Sequence, residues 1–539
     1  MKHKFISVLL ALVLVLSFSL VTAVPVGAVG NEVWVDVSAG AGGDGTEANP
    51  YQTIQEGITA VEEGGTVNVA AGIYYPTATI VIDKDGLILQ GPQADVDPRP
   101  SYSDAREAGS PSEAVIDGTN LGGDQLKNII RILADDVVIN GLEIRSGTGD
   151  LIFSGEFGDS ARNIYRPSVR FNIIHDSIKD EGVQLKGAVY GVYEYNHVFD
   201  TGGDGLNFAE DSWRVPREER KQTQHCIIQH NEIHDIGYHG TGTGPAHGGI
   251  FVYNDGCGDL DVEIRENLIY HINTAGIKFG DGDWAAKGGE IIDNIIRDTI
   301  GAGVRVRASD TTVEGNDISQ TGGITVESKV AQADTVLIQF NSIHGNTFGL
   351  NNLAAAEVNA THNWWGDASG PYHSTNPSGI GDAVSDNVLF APWLEAPYRP
   401  TTLMSSFTID HAKVDFKKKA DDDKVRVQGK LELDLDNGDG VNISEDVIVT
   451  VGPLSETITM VEKGKKDDRW HYQRPKGDEG NIKHMTINWK NGEFDIRLDK
   501  AELAGITNPV TISIQIGDDV GLESILMREK KHHWDYKAK

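Results

Sequence analysis

The stretches NLIYHINTAGIKF (residues 267–279), NIIRDTIGAGVRV (294–306) and NDISQTGGITV (316–326) spell one pattern three times. An asparagine leads into aliphatic residues, and a few positions later a glycine stands before an apolar residue. The asparagines recur at Asn172, Asn196, Asn231, Asn267, Asn294, Asn316 and Asn341. The glycine pairs recur as Gly182-Val183, Gly205-Leu206, Gly249-Ile250, Gly276-Ile277, Gly303-Val304 and Gly323-Ile324. The shortest steps between asparagines are 22, 24, 25 and 27 residues. That period is too short for two helices and fits three short strands joined by turns, which is one coil of a parallel β-helix. Stacked coils place residues from distant parts of the chain in columns at ~4.8 Å spacing, so a long groove can be read from the repeat.

The repeat runs from residue 64 to about 350, and two longer steps mark insertions: 35 residues from Asn196 to Asn231 and 36 from Asn231 to Asn267. The inserted loops, Glu210 to Gln224 with Trp213 and Gly237 to Gly248 with His247, are expected on the binding face. Ahead of the coil, Ile54, Ile58 and Val61 have helical spacing and predict a short helix that covers the open strand edges of the first coil. After it, Trp364, Trp365 and Trp393 mark an irregular structural cap.

Pro397 and Pro400 then read as a linker. Beyond them, residues 425–435, 447–451, 485–489, 494–498 and 510–516 alternate apolar and polar positions, as in an antiparallel sandwich. The expected division is a leader over 1–28, an N-terminal strand and capping helix over 29–63, the coil with its cap over 64–397 and an accessory sandwich over 398–539. The acidic turn Asp434 to Asn442 is either a calcium loop or a solvated turn.

The leader reading rests on Met1-Lys2-His3-Lys4, the apolar run Phe5 to Leu16 and the small-residue site Val26-Gly27-Ala28, and it predicts an exported or cell-surface protein with no membrane span after cleavage. A net charge of −33, from 47 Lys and Arg against 80 Asp and Glu, argues against nucleic acid as a partner. Cys226 and Cys257 are the two cysteines, to be bridged between neighbouring coils or simply buried. We expect a monomer.

Aligned on the glycine pairs, one outward column reads Gln184, Asn207, Phe251, Lys278, Arg305, Thr325, and its neighbour reads Lys186, Ala209, Tyr253, Gly280, Arg307, Glu327. On so acidic a chain, a stripe of Lys186, Lys278, Arg305 and Arg307 beside Phe251 and Tyr253 selects an anionic sugar polymer: cations for carboxylates, rings for sugar faces. Just before the glycines stand Asp180, Glu181 and Asp204. Those carboxylates could serve as acid and base, as calcium ligands or as turn formers.

The leader, the capping helix, the asparagine coils and the Trp-Trp-Gly cap together resemble the secreted pectate lyase superfamily over residues 31 to about 397. The resemblance implies a right-handed parallel β-helix that cleaves or binds acidic polysaccharide. Lys179 to Gln184, Gly203-Asp204, Ala246-His247-Gly248 and Gly276-Ile277-Lys278 follow the order of the polygalacturonase-type motifs. Glu181 and Gln184 replace two aspartates, however, one aspartate of the second motif is missing and so is an arginine, so elimination is expected ahead of hydrolysis. Lyases of this kind commonly use a Lys or Arg base with calcium. Lys278 is the first candidate base, its cationic neighbours lowering its pKa, and Lys186 is the second. Arg305 and His247 join them as catalytic candidates. Gln184, Asn207, Phe251, Tyr253, Arg307 and Trp213 would bind substrate, and Asp180, Glu181 and Asp204 would hold calcium. The competing expectation is a non-catalytic surface or envelope protein that uses the same stripe only for binding.

Overall fold

The computed structural model describes residues 31–538, apart from 104–105, 122–126, 156–161, 210–220, 222, 239–247, 253–258, 281–286, 329 and 331 in the coil, and 399–401, 404–405, 418–422, 433–445, 453, 463–468, 478–479, 489, 502, 504–507, 509, 517–518 and 531–532 beyond it. The leader, Trp213, His247, Tyr253, Cys257 and the acidic turn Asp434 to Asn442 lie outside the described residues. Contacts divide the chain into two compact units, Met1–Tyr398 and Arg399–Lys539.

The first unit is a parallel coil of three long sheets, with 13, 10 and 10 strands among the described residues, and a short two-stranded one, Ile164–Tyr165 with Ala188–Val189. The long sheet runs from Glu32–Val35 to Val388–Leu389. The second, here the site sheet, runs from Ile80–Ile82 to Leu350–Asn352, and the third from Gly72–Tyr74 to Ser342–His344. Each strand is parallel to its neighbours on the coils above and below, and the apolar residue after each glycine fills the core: Val183, Leu206, Ile250, Ile277, Val304 and Ile324 are buried.

Close approach explains the glycines before them. A Cβ on Gly249 would stand 2.7 Å from the Gly276 carbonyl oxygen and 2.8 Å from Ile269 of the third sheet, so no larger residue fits between the coils.

The asparagines form one interior ladder. From Asn172 to Asn341, each backbone N–H and each Nδ2 donates to the Oδ1 of the asparagine one coil on, at 2.9 to 3.1 Å. Nδ2 also reaches back to the carbonyl two residues earlier, as from Asn267 to Arg265 at 2.9 Å. That bond closes the turn whose preceding residue is left-handed: Phe171, His230, Glu266, Asp293 and Phe340 all have φ between 52° and 56°. Buried amides thus satisfy one another while fixing the corner between the long and third sheets. The ladder continues to Asn363, directly before the Trp364-Trp365 pair of the cap.

The helix spans Ile54–Ala60 and begins with a reciprocal cap between Thr53 and Glu56, its Ile54 and Ile58 buried against the first strands. At the other end Trp365 is buried within the core. Cys226 is a buried thiol beside the Ala188 carbonyl.

The second unit has its own core and two sheets, of five and eight strands among the described residues, antiparallel except for the short pair Thr402–Leu403 with Asp519–Val520. The expected strands appear as Asp423–Glu432, Asp446–Val451, Ile482–Asn488, Glu493–Ala501 and Val510–Ile516. Ser406–Asp415 was not anticipated, because a bulge between Ile409 and His411 shifts its buried set from Phe407 and Ile409 to Ala412 and Val414, which destroys the alternation.

Candidate functional site

Strand pairing places Arg131, Phe153, Gln184, Asn207, Phe251, Lys278, Arg305, Thr325 and Asn351 in one column on the outer face of the site sheet. The register expected for Gln184 through Thr325 is the one found, and Arg131 and Phe153 extend it.

Lys278 sits between Phe251 and Arg305, with Nζ 3.9 Å from the Phe251 ring centroid. It is 7 % exposed although it points outward. Gly248, at the start of the neighbouring strand, lies beside it: a Cβ there would be in ordinary contact with the lysine Cδ, at 3.7 Å. Burial pushes the Lys278 pKa below the ordinary lysine range; Asp204 opposes the shift, and Arg307 and Arg305 add to it. The expected direction is right but its main cause is desolvation, not the neighbouring cations.

Arg305 and Arg307 both turn to Glu327: Arg305 forms an ion pair with it, and Arg307 Nε lies 3.7 Å away. Their charge is therefore partly balanced on the coil, a pairing the column reading did not include although Glu327 stood in the neighbouring column. Lys186, at the end of its strand, holds Nζ 5.6 Å from the Phe153 ring, so it belongs to a separate part of the face, two coils away from Phe251.

The carboxylates sort into two groups. Asp150, Asp180 and Glu181 bring one oxygen each within 4.8 Å of one another. Asp150 Oδ1 and Glu181 Oε2 are buried with no hydrogen-bond partner. Burial, then the Asp180 carboxylate, raises Asp150 to about 7, and burial together with Asp180 and Asp150 holds Glu181 well above its ordinary value. Orphaned, crowded carboxylate oxygens are the chemistry of a hard-cation site, since a divalent ion would satisfy them and remove their repulsion. Asp204 is not in this group. Its Oδ2 accepts a 2.7 Å bond from Asn207 Nδ2, and Oδ1 accepts the Gly248 N–H, so it fixes Asn207 and the strand that carries Phe251. Asn207 Nδ2 is also 3.4 Å from Glu181 Oε1.

Asp150 escaped the sequence reading for a structural reason. Pairing of Ile152 with Val183 puts Leu151 in the column where later coils have glycine, so the Gly-apolar signature is absent there. The signal that could have found it is the acidic residue two positions before each inward strand: Asp150, Glu181, Asp204.

The model of the family described as "Right handed beta helix region" matches residues 112–284, and the coil is a right-handed parallel β-helix. No curated protein matches this chain. Among solved structures, a pectate lyase is similar at 13 % identity and TM-score 0.47, over 68 % of this chain and 88 % of that one. An alginate lyase from a Paenibacillus species is similar at 14 % identity and TM-score 0.36, over 63 % and 95 %. The A-module of an Azotobacter vinelandii mannuronan C-5 epimerase is similar at 15 % identity and TM-score 0.35, over 63 % and 91 %. Identities this low carry no information on what individual side chains do.

Proposed function

We propose that this chain acts outside the cytoplasm on a uronic acid polysaccharide, which it binds along the outer face of the site sheet and cleaves by β-elimination. The observation that supports this most is Lys278: an amine 7 % exposed, stacked on Phe251, with a lowered pKa and two arginines on the next coil. Among the described residues no helix is long and apolar enough to cross a membrane.

In this reading the neutral Lys278 amine takes the proton from the carbon next to the uronate carboxylate. The electrons of that C–H bond form the new double bond, and the glycosidic oxygen leaves with its bonding pair and a proton from water. Arg305 and Arg307 face the charge that develops on the carboxylate, and Phe251 supports the sugar ring. Asp150, Asp180 and Glu181 would hold calcium, which when bound supplies positive charge to a substrate carboxylate. Asp204 positions Asn207, which with Gln184 offers amide groups to the sugar hydroxyls.

The test is to incubate the purified protein with polygalacturonate and with alginate, with and without calcium, following unsaturated-product absorbance and reducing ends together. Elimination gives both signals and hydrolysis only reducing ends. Binding without either signal would overturn cleavage and leave the surface-protein reading.

A further inference from the structure

The outer face of the eight-stranded sheet in the C-terminal unit is crossed by a row of charged residues in direct register. Arg528 stands opposite Asp535, Asp535 opposite Lys413, Lys413 opposite Arg426, Arg426 opposite Arg497, and Arg497 opposite His484. Lys413, Arg426, Arg497 and Arg528 are exposed, while Val414, Val425, Val427 and Ile496 between them face the core. Like charges placed directly opposite on neighbouring strands destabilise a sheet, so three adjacent cations, at strand spacings of ~4.8 Å, need a reason.

The carboxylates on this face do not balance them. Arg426 and Arg497 share Asp495, Arg528 and Lys530 share Asp535, and Lys413 pairs with Asp415, which makes five cations on three carboxylates. The wider sequence agrees. Residues 399–539 contain 23 of the chain's 47 Lys and Arg but 26 of its 80 Asp and Glu, so 23 minus 26 leaves −3 there and the remaining −30 of the −33 falls on residues 1–398.

We propose that this cationic row is a second polyanion-binding surface, a non-catalytic site that holds an acidic polysaccharide laid across the three adjacent strands of Lys413, Arg426 and Arg497, one cation on each. A single row suits a linear polymer with one carboxylate per sugar. At net charge −3, this unit also repels such a polymer far less at long range than a coil of net charge about −30 does. The choice of uronate polymer rests on the reading of the coil face, whereas the row itself does not.

The full chain carrying Lys278→Ala, which prevents digestion of the matrix, is run by affinity electrophoresis through gels containing polygalacturonate or alginate. Adding Lys413→Gln, Arg426→Gln and Arg497→Gln should weaken retention roughly tenfold at low salt, a difference that shrinks at high salt. Equal retention would overturn the proposal. Should the triple variant fail to fold, Asp495→Asn adds positive charge to the same row and must tighten retention; unchanged or weaker retention refutes the site. Anionic vesicles and duplex DNA serve as competing probes, and row-dependent binding to either without binding to polysaccharide also overturns it. Placed in the Lys278 protein, the triple substitution should leave cleavage of short uronate oligomers unchanged. Loss of row-dependent retention and absence of cleavage are thus separate failures of separate readings.

Discussion

Asn267→Ala tests whether the interior ladder holds the coil together or only decorates it. Asn267 is 1 % exposed, and its Oδ1 accepts the Asn231 backbone N–H and Nδ2, both at 2.9 Å. Its Nδ2 donates to the Ile228 and Arg265 carbonyls, both at 2.9 Å, and to Asn294 Oδ1 at 3.0 Å. Alanine strands the Asn231 N–H, at ~1–3 kcal/mol for a buried donor, and removes the bonds to two carbonyls, at ~0.5–1.5 kcal/mol each. Asn294 Oδ1 keeps the Asn267 backbone N–H and adds little. The sum is about 4 kcal/mol, before counting the left-handed turn at Glu266 that the amide closes. Denaturant unfolding followed by circular dichroism reads the loss, with Asn273→Ala as the comparison. Among the described residues the Asn273 side chain makes one bond, to the Gly237 carbonyl, and its removal should cost about 1 kcal/mol or less. An Asn267→Ala loss below ~1 kcal/mol with an unchanged denaturant slope would refute the reasoning and assign coil stability to apolar stacking alone.

Lys278→Ala should abolish unsaturated product while binding changes only a few fold, because a base acts in the transition state. Since the neutral amine is the active form, the wild-type rate should rise with pH through the lowered Lys278 pKa and then level; a rate that falls over that range contradicts the assignment. Asp150, raised to about 7, stays protonated in the fold where the unfolded chain is ionised, so without a cation stability falls as pH rises from its ordinary 3.8 toward 7. Calcium should reverse that loss in a thermal melt of the wild type and not of Asp150→Asn; equal calcium shifts in both would exclude the cluster. Arg305→Glu with Arg307→Glu should weaken polygalacturonate binding and flatten its salt dependence, and unchanged affinity would point to another face. A chain truncated after Pro400 should keep cleavage of short oligomers, since the two units have separate cores; loss of activity with the coil folded would mean that the sandwich completes the site.

The coil and its register were legible because they rest on constraints that a single residue can violate. Glycine recurs where a Cβ would strike the next coil, and asparagine recurs where an amide must bond in both directions along the axis. Hence the column from Gln184 to Thr325 could be written from spacing alone. Where a coil meets the constraint another way, the signal vanishes. Leu151 stands in the glycine column, so Asp150, Phe153 and Arg131 went unread, and with them the third carboxylate of the acidic cluster. Similarly the bulge at Ile409 to His411 hid Ser406–Asp415, the strand that carries Lys413.

Alternation along a strand tells which way a side chain points but not how much water it meets, and the chemistry depends on the second. Lys278 and Thr325 share a column, yet Lys278 is 7 % exposed, with the Phe251 ring against one side and its Cδ beside Gly248 at the start of the neighbouring strand. Arg305, one coil on, keeps a 37 % exposed side chain and meets Glu327. The two cations occupy equivalent positions in the repeat, but Lys278 is desolvated and drawn toward neutrality while Arg305 is half-exposed and ion-paired to Glu327. A base and a charge-stabilising group require that difference, and it comes from residue type, since a buried amine can lose its proton and a guanidinium cannot, together with what stands on the coils to either side.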